Sequence, residues 1–96
     1  MIPMEAIIKL RLYVAGNSPN SVKAIANLGV LCRENLPDRH HIEIVDVFRE
    51  PKRALADGII LTPMLLKLSP SPACQVMGDL SHPTLVLQTL GLSPST

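Results

Sequence analysis

The chain has 96 residues and a formal net charge of +1, with 47% apolar residues, nine prolines, two cysteines and no tryptophan. That length implies one domain, residues 1–96 with order over about 6–92, which buries roughly 60–65% of its unfolded surface without needing disulfide or metal staples. Tyr13 and Phe48 are the only aromatics, and nine basic residues face eight acidic ones. Nucleic-acid readers built on stacking platforms or broad basic fields are thereby excluded.

The opening Met1-Ile2-Pro3-Met4-Glu5 places an acid where a secretory peptide needs positive charge. The unbroken apolar runs fall far short of the ~20 residues that span a bilayer. These features imply a cytoplasmic chain that does not enter a membrane. Cys32 and Cys74 form no C-x-x-C pair and read as two reduced core thiols.

Residues 6–14 alternate strictly, with Ile8, Leu10, Leu12 and Val14 on one face and Ile7, Lys9, Arg11 and Tyr13 on the other. That pattern predicts a strand with a mixed second face that a single domain covers poorly. After the turn Ala15-Gly16-Asn17, Ser18 is placed to cap a helix and Pro19 to occupy its first position. Val22, Ile25, Ala26, Gly29, Cys32 and Leu36 mark one expected buried stripe, and Pro37 ends the helix. Alternation returns from His41 to Phe48, so the two strands and the long helix form a βαβ unit with parallel strands.

Glu50-Pro51 opens a short helix that Gly58 closes. The run 64–77 reads as a hairpin turning at Ser69-Pro70-Ser71-Pro72, and Gly78-Asp79-Leu80-Ser81 as the cap of a last helix with Gly91 beyond its end. The order βαβ(α)ββα defines an α/β class with a thioredoxin-like layout. Thr62-Pro63 leaves two readings open: a cis proline before the third strand, as the layout suggests, or a trans proline opening a helix. Met64 to Leu68 contains no β-branched residue, so its local propensity is helical where the topology wants a strand. Thr84 to Leu87 shows the opposite tension, since it could be extended as easily as helical.

In this layout a redox pair would sit between the first strand and the first helix, but the turn reads Gly16-Asn17-Ser18-Pro19-Asn20-Ser21. With no thiolate at that helix start, disulfide chemistry has no nucleophile. Ser18 and Ser21 have no histidine near in sequence and read as capping residues rather than catalysts. His41 and Glu43 share a strand face beside His40, yet two ligands close no metal site. Catalytic, cofactor and metal sites are therefore not expected. Lys9 with Arg11, and Arg49 with Lys52 and Arg53, are small basic groups that suit solvent or an acidic protein surface.

Leu12-Tyr13-Val14-Ala15-Gly16-Asn17-Ser18-Pro19-Asn20-Ser21, with Ile44-Val45-Asp46-Val47, Leu61-Thr62-Pro63 and Gly78-Asp79-Leu80-Ser81, resembles the KaiB family of circadian clock proteins. The match runs from about Leu10 to Leu90. The resemblance implies a non-enzymatic, fold-switching protein with two packings of its second half. The ground state is βαββααβ, assembled as a dimer or tetramer; the rarer thioredoxin-like monomer binds a KaiC-like ATPase hexamer. KaiA and a clock-output histidine kinase are implied as further partners. The implied partner-contact positions are Lys23 and Lys67. Asn17, Pro19, Thr62, Pro63, Gly78 and Asp79 are implied as structural or switching positions. The family often carries basic residues before the Gly-Asp block, where this chain has Ala73-Cys74-Gln75.

Two other classes compete: a sensor module of a signalling kinase, and a thiol or glutathione enzyme of the same fold. The thiol-free first turn counts against the enzyme. The purified protein is expected to leave insulin reduction by dithiothreitol at the buffer rate, and turbidity developing faster than that background would contradict the expectation.

Overall fold

The computed structural model describes residues 6–92. The alternating N-terminal run forms β1 (Ile8–Val14), followed by α1 (Pro19–Asn35), β2 (His40–Asp46), α2 (Pro51–Ala56), β3 (Met64–Ser69), β4 (Cys74–Met77) and α3 (Pro83–Thr89). The sheet order is β2-β1-β3-β4. β1 pairs in parallel with β2, placing Arg11 opposite Glu43. It pairs antiparallel with β3, and β3 pairs antiparallel with the four-residue edge strand β4. The thioredoxin-like layout read from the sequence is the observed one.

Two apolar layers sandwich the sheet. On one face Ile8, Leu10, Leu12 and Val14 pack with Leu65, with Ala24, Leu28, Leu31, Cys32 and Leu36 from and beyond α1, and with Val86, Leu87 and Leu90 around α3. On the other face Tyr13 and Val45 meet Ala54 of α2, joined by Val47, Ile59, Met64 and Leu66. Tyr13 is therefore fully buried, which corrects the expectation that it stands on a poorly covered face; Ile7 and Lys9 remain exposed there as expected. The expected short helix is present as α2; what the alternation pattern does not reveal is that it packs over Tyr13.

β3 settles the conflict in residues 64–68 in favour of extension. Leu65 enters the first layer while Met64 and Leu66 enter the second. A central strand buried on both faces gains more from packing than helical propensity offers. The Thr62–Pro63 peptide is cis, the strand Met64–Ser69 follows it directly in place of a helix, and residues 84–87 are helical.

The buried stripe of α1 is Ser21, Ala24, Leu28, Leu31 and Cys32, not the stripe through Val22, Ile25, Ala26 and Gly29. Val22 and Ile25 face solvent. The helix carries apolar residues on two faces that share Cys32 and Leu36, and the small Ser21 and Ala24 let the chosen face approach the sheet. Ser18 is the N-cap residue but makes no capping hydrogen bond. At α3 the N-cap is His82 rather than the Gly78–Ser81 block. That helix ends in a Schellman motif: Gly91, at φ +76, donates to Gln88 O at 3.1 Å, and Leu92 donates to Leu87 O at 2.8 Å.

Lys67 is the exception in the first layer. Its side chain is 1% exposed, and Nζ donates to Leu90 O at 2.7 Å. No basic residue lies in the last turn of α3, so β3 supplies the cation that the helix C-terminus favours. The ammonium is buried, but most of what Lys67 buries is its methylene stem. Lys67→Met, which keeps that bulk, is expected to unfold in urea with about 2 kcal/mol more stability than Lys67→Ala, at roughly 0.8 kcal/mol per buried methylene. Equal midpoints for the two variants would contradict this.

Candidate functional site

Several of the residues singled out in sequence lie at the end of the sheet where β1 and β2 finish. The Asp46 carboxylate ties two loops together there: Oδ1 accepts from Gly16 N at 3.3 Å and from Phe48 N at 2.9 Å, while Val47 N donates to Val14 O. Gly16 has φ +54, and a Cβ on it would stand 3.6 Å from the Phe48 ring. Glycine here serves both the left-handed backbone and the close approach of that ring.

Asn17, exposed, and Pro19 continue this end into α1, and Thr62-Pro63 lies beside it because Met64 pairs with Tyr13. Gly78 N donates to Pro63 O at 3.0 Å. Asn17, Pro19, Thr62, Pro63 and Gly78 thus share one end of the fold. Asp79 lies where the chain turns toward α3. Its backbone carbonyl accepts from Asn27 Nδ2 of α1, and its carboxylate accepts from Ser81 N. The bonds from Ser81 hold the Asp79 carboxyl below its ordinary pKa.

A thiol enzyme of this fold would need a nucleophile at the start of α1. Two serines stand there instead. Ser18 Oγ donates to Ser21 Oγ at 2.7 Å, and Ser21 Oγ accepts from Ala15 N at 3.0 Å. The buried Ser21 hydroxyl is spent on closing the turn. Cys32 lies in the core, where burial pushes its thiol up to about 11, and Cys74 is half-buried on β4. Neither stands at a helix start, the position that activates a thiol in this fold.

The basic groups divide by what they touch. Arg11 bonds Glu43 at 2.7 Å and Asp57 at 2.9 Å, and Arg53 bonds Glu43 at 2.7 Å and Glu50 at 3.2 Å. Tyr13 Oη donates to Asp57 Oδ2 at 2.6 Å, with Arg53 O at 3.1 Å. This network pins α2 over the sheet. Lys9, Arg49 and Lys52 are exposed and form no ion pair with a described residue. The pairing of Arg11 with Glu43 was within reach of the sequence, since parallel pairing in this register sets the two opposite each other. The Asp57 contact was not, because it depends on where α2 ends.

Glu43 has both oxygens committed to arginines, and His40 Nδ1 lies 2.7 Å from Leu36 O. His40, His41 and Glu43 do not converge, and no group of three metal-ligating side chains occurs among the described residues. Of the two expected contact positions, Lys23 is exposed on α1, whereas Lys67 is enclosed as described above. In this packing the two are not brought together on one accessible surface. No helix among the described residues is long and apolar enough to cross a membrane.

The KaiB domain model matches residues 11–92. The chain belongs to the KaiB family. It is 44% identical over 87 residues to the circadian clock protein KaiB3 of Synechocystis, covering 91% of this chain and 85% of that protein. It is 38% identical over 92 residues to the clock oscillator protein KaiB of Thermosynechococcus vestitus, covering 96% and 85%. Relatives of the KaiB family are thus named as clock proteins, not as enzymes. Among solved structures the chain resembles the N-terminal domain of Synechococcus elongatus SasA, with TM-score 0.70 and 17% identity over 95% of this chain and 90% of that one. Mitochondrial thioredoxin 3 of Saccharomyces cerevisiae gives TM-score 0.71 at 13% identity over 93% and 83%. At such identities the likeness is one of fold.

The network gives the KaiB-family fold a pH signature. Burial first, then the bond to Asp57, raises the Tyr13 phenol to about 12. The bonds from Tyr13 and Arg11 hold the Asp57 carboxyl below its ordinary value. Stability from Tyr13 is complete below its unfolded pKa of roughly 10 and is lost as pH climbs through about 12. Stability from Asp57 is present above the ordinary carboxylate range and is lost as acid protonates it. Tyr13 is the only tyrosine and tryptophan is absent, so tyrosinate absorbance reports this one group. Its midpoint is expected well above 10, and lower in Asp57→Asn while still above that of free tyrosine, because burial remains. A midpoint at the free-tyrosine value in the parent protein would contradict the burial.

Proposed function

We propose that the chain is a non-enzymatic regulatory module that binds a KaiC-like ATPase hexamer and modulates its ATPase and phosphorylation cycle. The observation that supports this best is the thioredoxin-like frame whose first turn carries serines in place of thiols, in a chain of the KaiB family. The fold therefore offers surfaces rather than a reactive group. KaiA, or a clock-output histidine kinase, would be a further partner. Self-association to a dimer or tetramer would accompany the resting state, and the cytoplasm is the proposed location. One domain over residues 1–96 would carry all of this.

In this reading residues 59–90 have two packings. The local preference of Met64 to Leu68 for helix opposes the strand they form here, so packings a few kcal/mol apart are within reach. A partner shifts the balance only by binding one packing more tightly; moving 1:99 to 99:1 takes a ratio of about 10⁴. Lys23 is proposed as a contact open in this packing. Lys67 would reach a partner only after leaving Leu90 O. Asn17, Pro19, Thr62, Pro63, Gly78 and Asp79 would shape the turns that the two packings share or exchange.

Size-exclusion chromatography of the chain with a nucleotide-loaded KaiC-like hexamer tests the binding, and NMR tests the two packings. Co-elution is expected, with carbon secondary shifts of residues 62–68 that differ between the free and bound chain. Failure to co-elute at high micromolar concentration would overturn the binding, and one unchanged set of shifts would overturn the switch.

A further inference from the structure

Residues 48–61 expose apolar bulk to an extent that no other segment of the described chain matches. Phe48 is 75% exposed, Leu55 78%, Ile60 90% and Leu61 55%. The exposed apolar residues of α1 are fewer and more covered, with Val22 at 52%, Ile25 at 38% and Val30 at 44%. Single apolar residues on a surface are ordinary, but four large ones within fourteen positions, on α2 and the loops that flank it, are more than a surface of scattered residues needs.

The patch is held in place. Phe48 is fixed at its amide by Asp46 and lies over the Gly16 turn. Ile59 N donates to Ala54 O at 2.9 Å and Gly58 N to Leu55 O at 3.1 Å, closing the loop back onto α2. Ile59 packs inward with Tyr13, leaving Ile60 to point away. An apolar surface presented by a braced backbone loses little entropy when it docks.

Charge selects the partner. Both acids of this stretch are committed within the fold, Glu50 to Arg53 and Asp57 to Tyr13 and Arg11, and Asp46 just before it is committed to two backbone amides. Arg49 and Lys52 sit in the same stretch, exposed and without an ion pair to any described residue. The stretch therefore offers aliphatic and aromatic bulk beside two exposed cationic side chains, Arg49 and Lys52, that no described carboxylate pairs directly. We infer that the outer side of residues 48–61 docks an acidic segment of a partner protein that carries leucine-like side chains. This names a contact surface for the partner-binding reading above and rests on it, while its chemistry is testable without the hexamer.

Two variants probe it, Phe48→Ala with Ile60→Ser, and Arg49→Glu with Lys52→Glu. All four side chains are exposed, so thermal melts within a few degrees of the parent are expected. In a first arm, an N-terminally labelled chain is titrated with the nucleotide-loaded KaiC-like hexamer by fluorescence anisotropy. Each double variant is expected to weaken binding at least tenfold, with the charge reversal also flattening the salt dependence. Parent-like affinity in both variants overturns the inference while leaving the proposed function intact.

In a second arm, the ¹⁵N-labelled chain is titrated with a synthetic peptide of alternating glutamate and leucine, and with a lysine–leucine control. Amide shifts confined to residues 48–61, seen with the acidic peptide and lost in the variants, support the surface even if the hexamer does not bind. Shifts elsewhere, or equal shifts with the control peptide, overturn it. A third result, in which the apolar variant turns a dimer into a monomer without changing hexamer binding, assigns the patch to a second copy and likewise overturns it.

Discussion

A phenol buried on a sheet needs an acceptor for its hydroxyl, and the arrangement of this molecule follows from how Tyr13 finds one. α2 is six residues long, too short to be stable by itself, yet it ends where Asp57 meets Tyr13 Oη and Arg11. Without that anchor the second face of β1 would be open to water and the layer of Val45, Ala54, Met64 and Leu66 would have no cover. The exposed ion pairs around it add little individually, on the order of 0–1 kcal/mol each. Their value is geometric, because Glu43 grips arginines from both β1 and α2 and so fixes how the helix crosses the strands.

Lys67 imposes the complementary constraint on the other face. An ammonium in an aliphatic layer is tolerated because one carbonyl, at the negative end of α3, accepts a hydrogen bond from it. That bond exists only while 64–69 is a strand and α3 is docked. The same side chain that joins the two elements also penalises any partial detachment, since a freed Leu90 carbonyl and a displaced ammonium must both find water. β3 and α3 are therefore coupled elements that form together.

The parts of the fold legible in sequence were those with a local period or a local stop. The first strand, the βαβ unit, the hairpin and the glycine beyond the last helix follow from alternation, Pro19, Pro37 and Gly91. The stripe of α1 was misplaced because Val22, Ile25 and Ala26 imitate a core face, and only the approach distance allowed by Ser21 and Ala24 decides between faces. The burial of Tyr13 was hidden because what covers it lies 40 or more residues later in the chain. The enclosure of Lys67 was hidden for a similar reason, since a lysine in a strand reads as solvent-facing unless the end of a helix is known to lie beneath it. The turn lacking a thiol, by contrast, was plain from six consecutive residues.

The four-residue length of β4 has a consequence for how the protein behaves when crowded. A sheet edge is a row of unsatisfied donors and acceptors that can recruit a foreign strand. On this side of the sheet the recruiting row ends after Cys74–Met77, flanked by Pro70 and Pro72 before it and by Gly78 after it. Any intruding strand would find a ladder too brief to hold it, so sheet-to-sheet growth through β4 is self-limiting and the molecule resists amyloid-like stacking from that side.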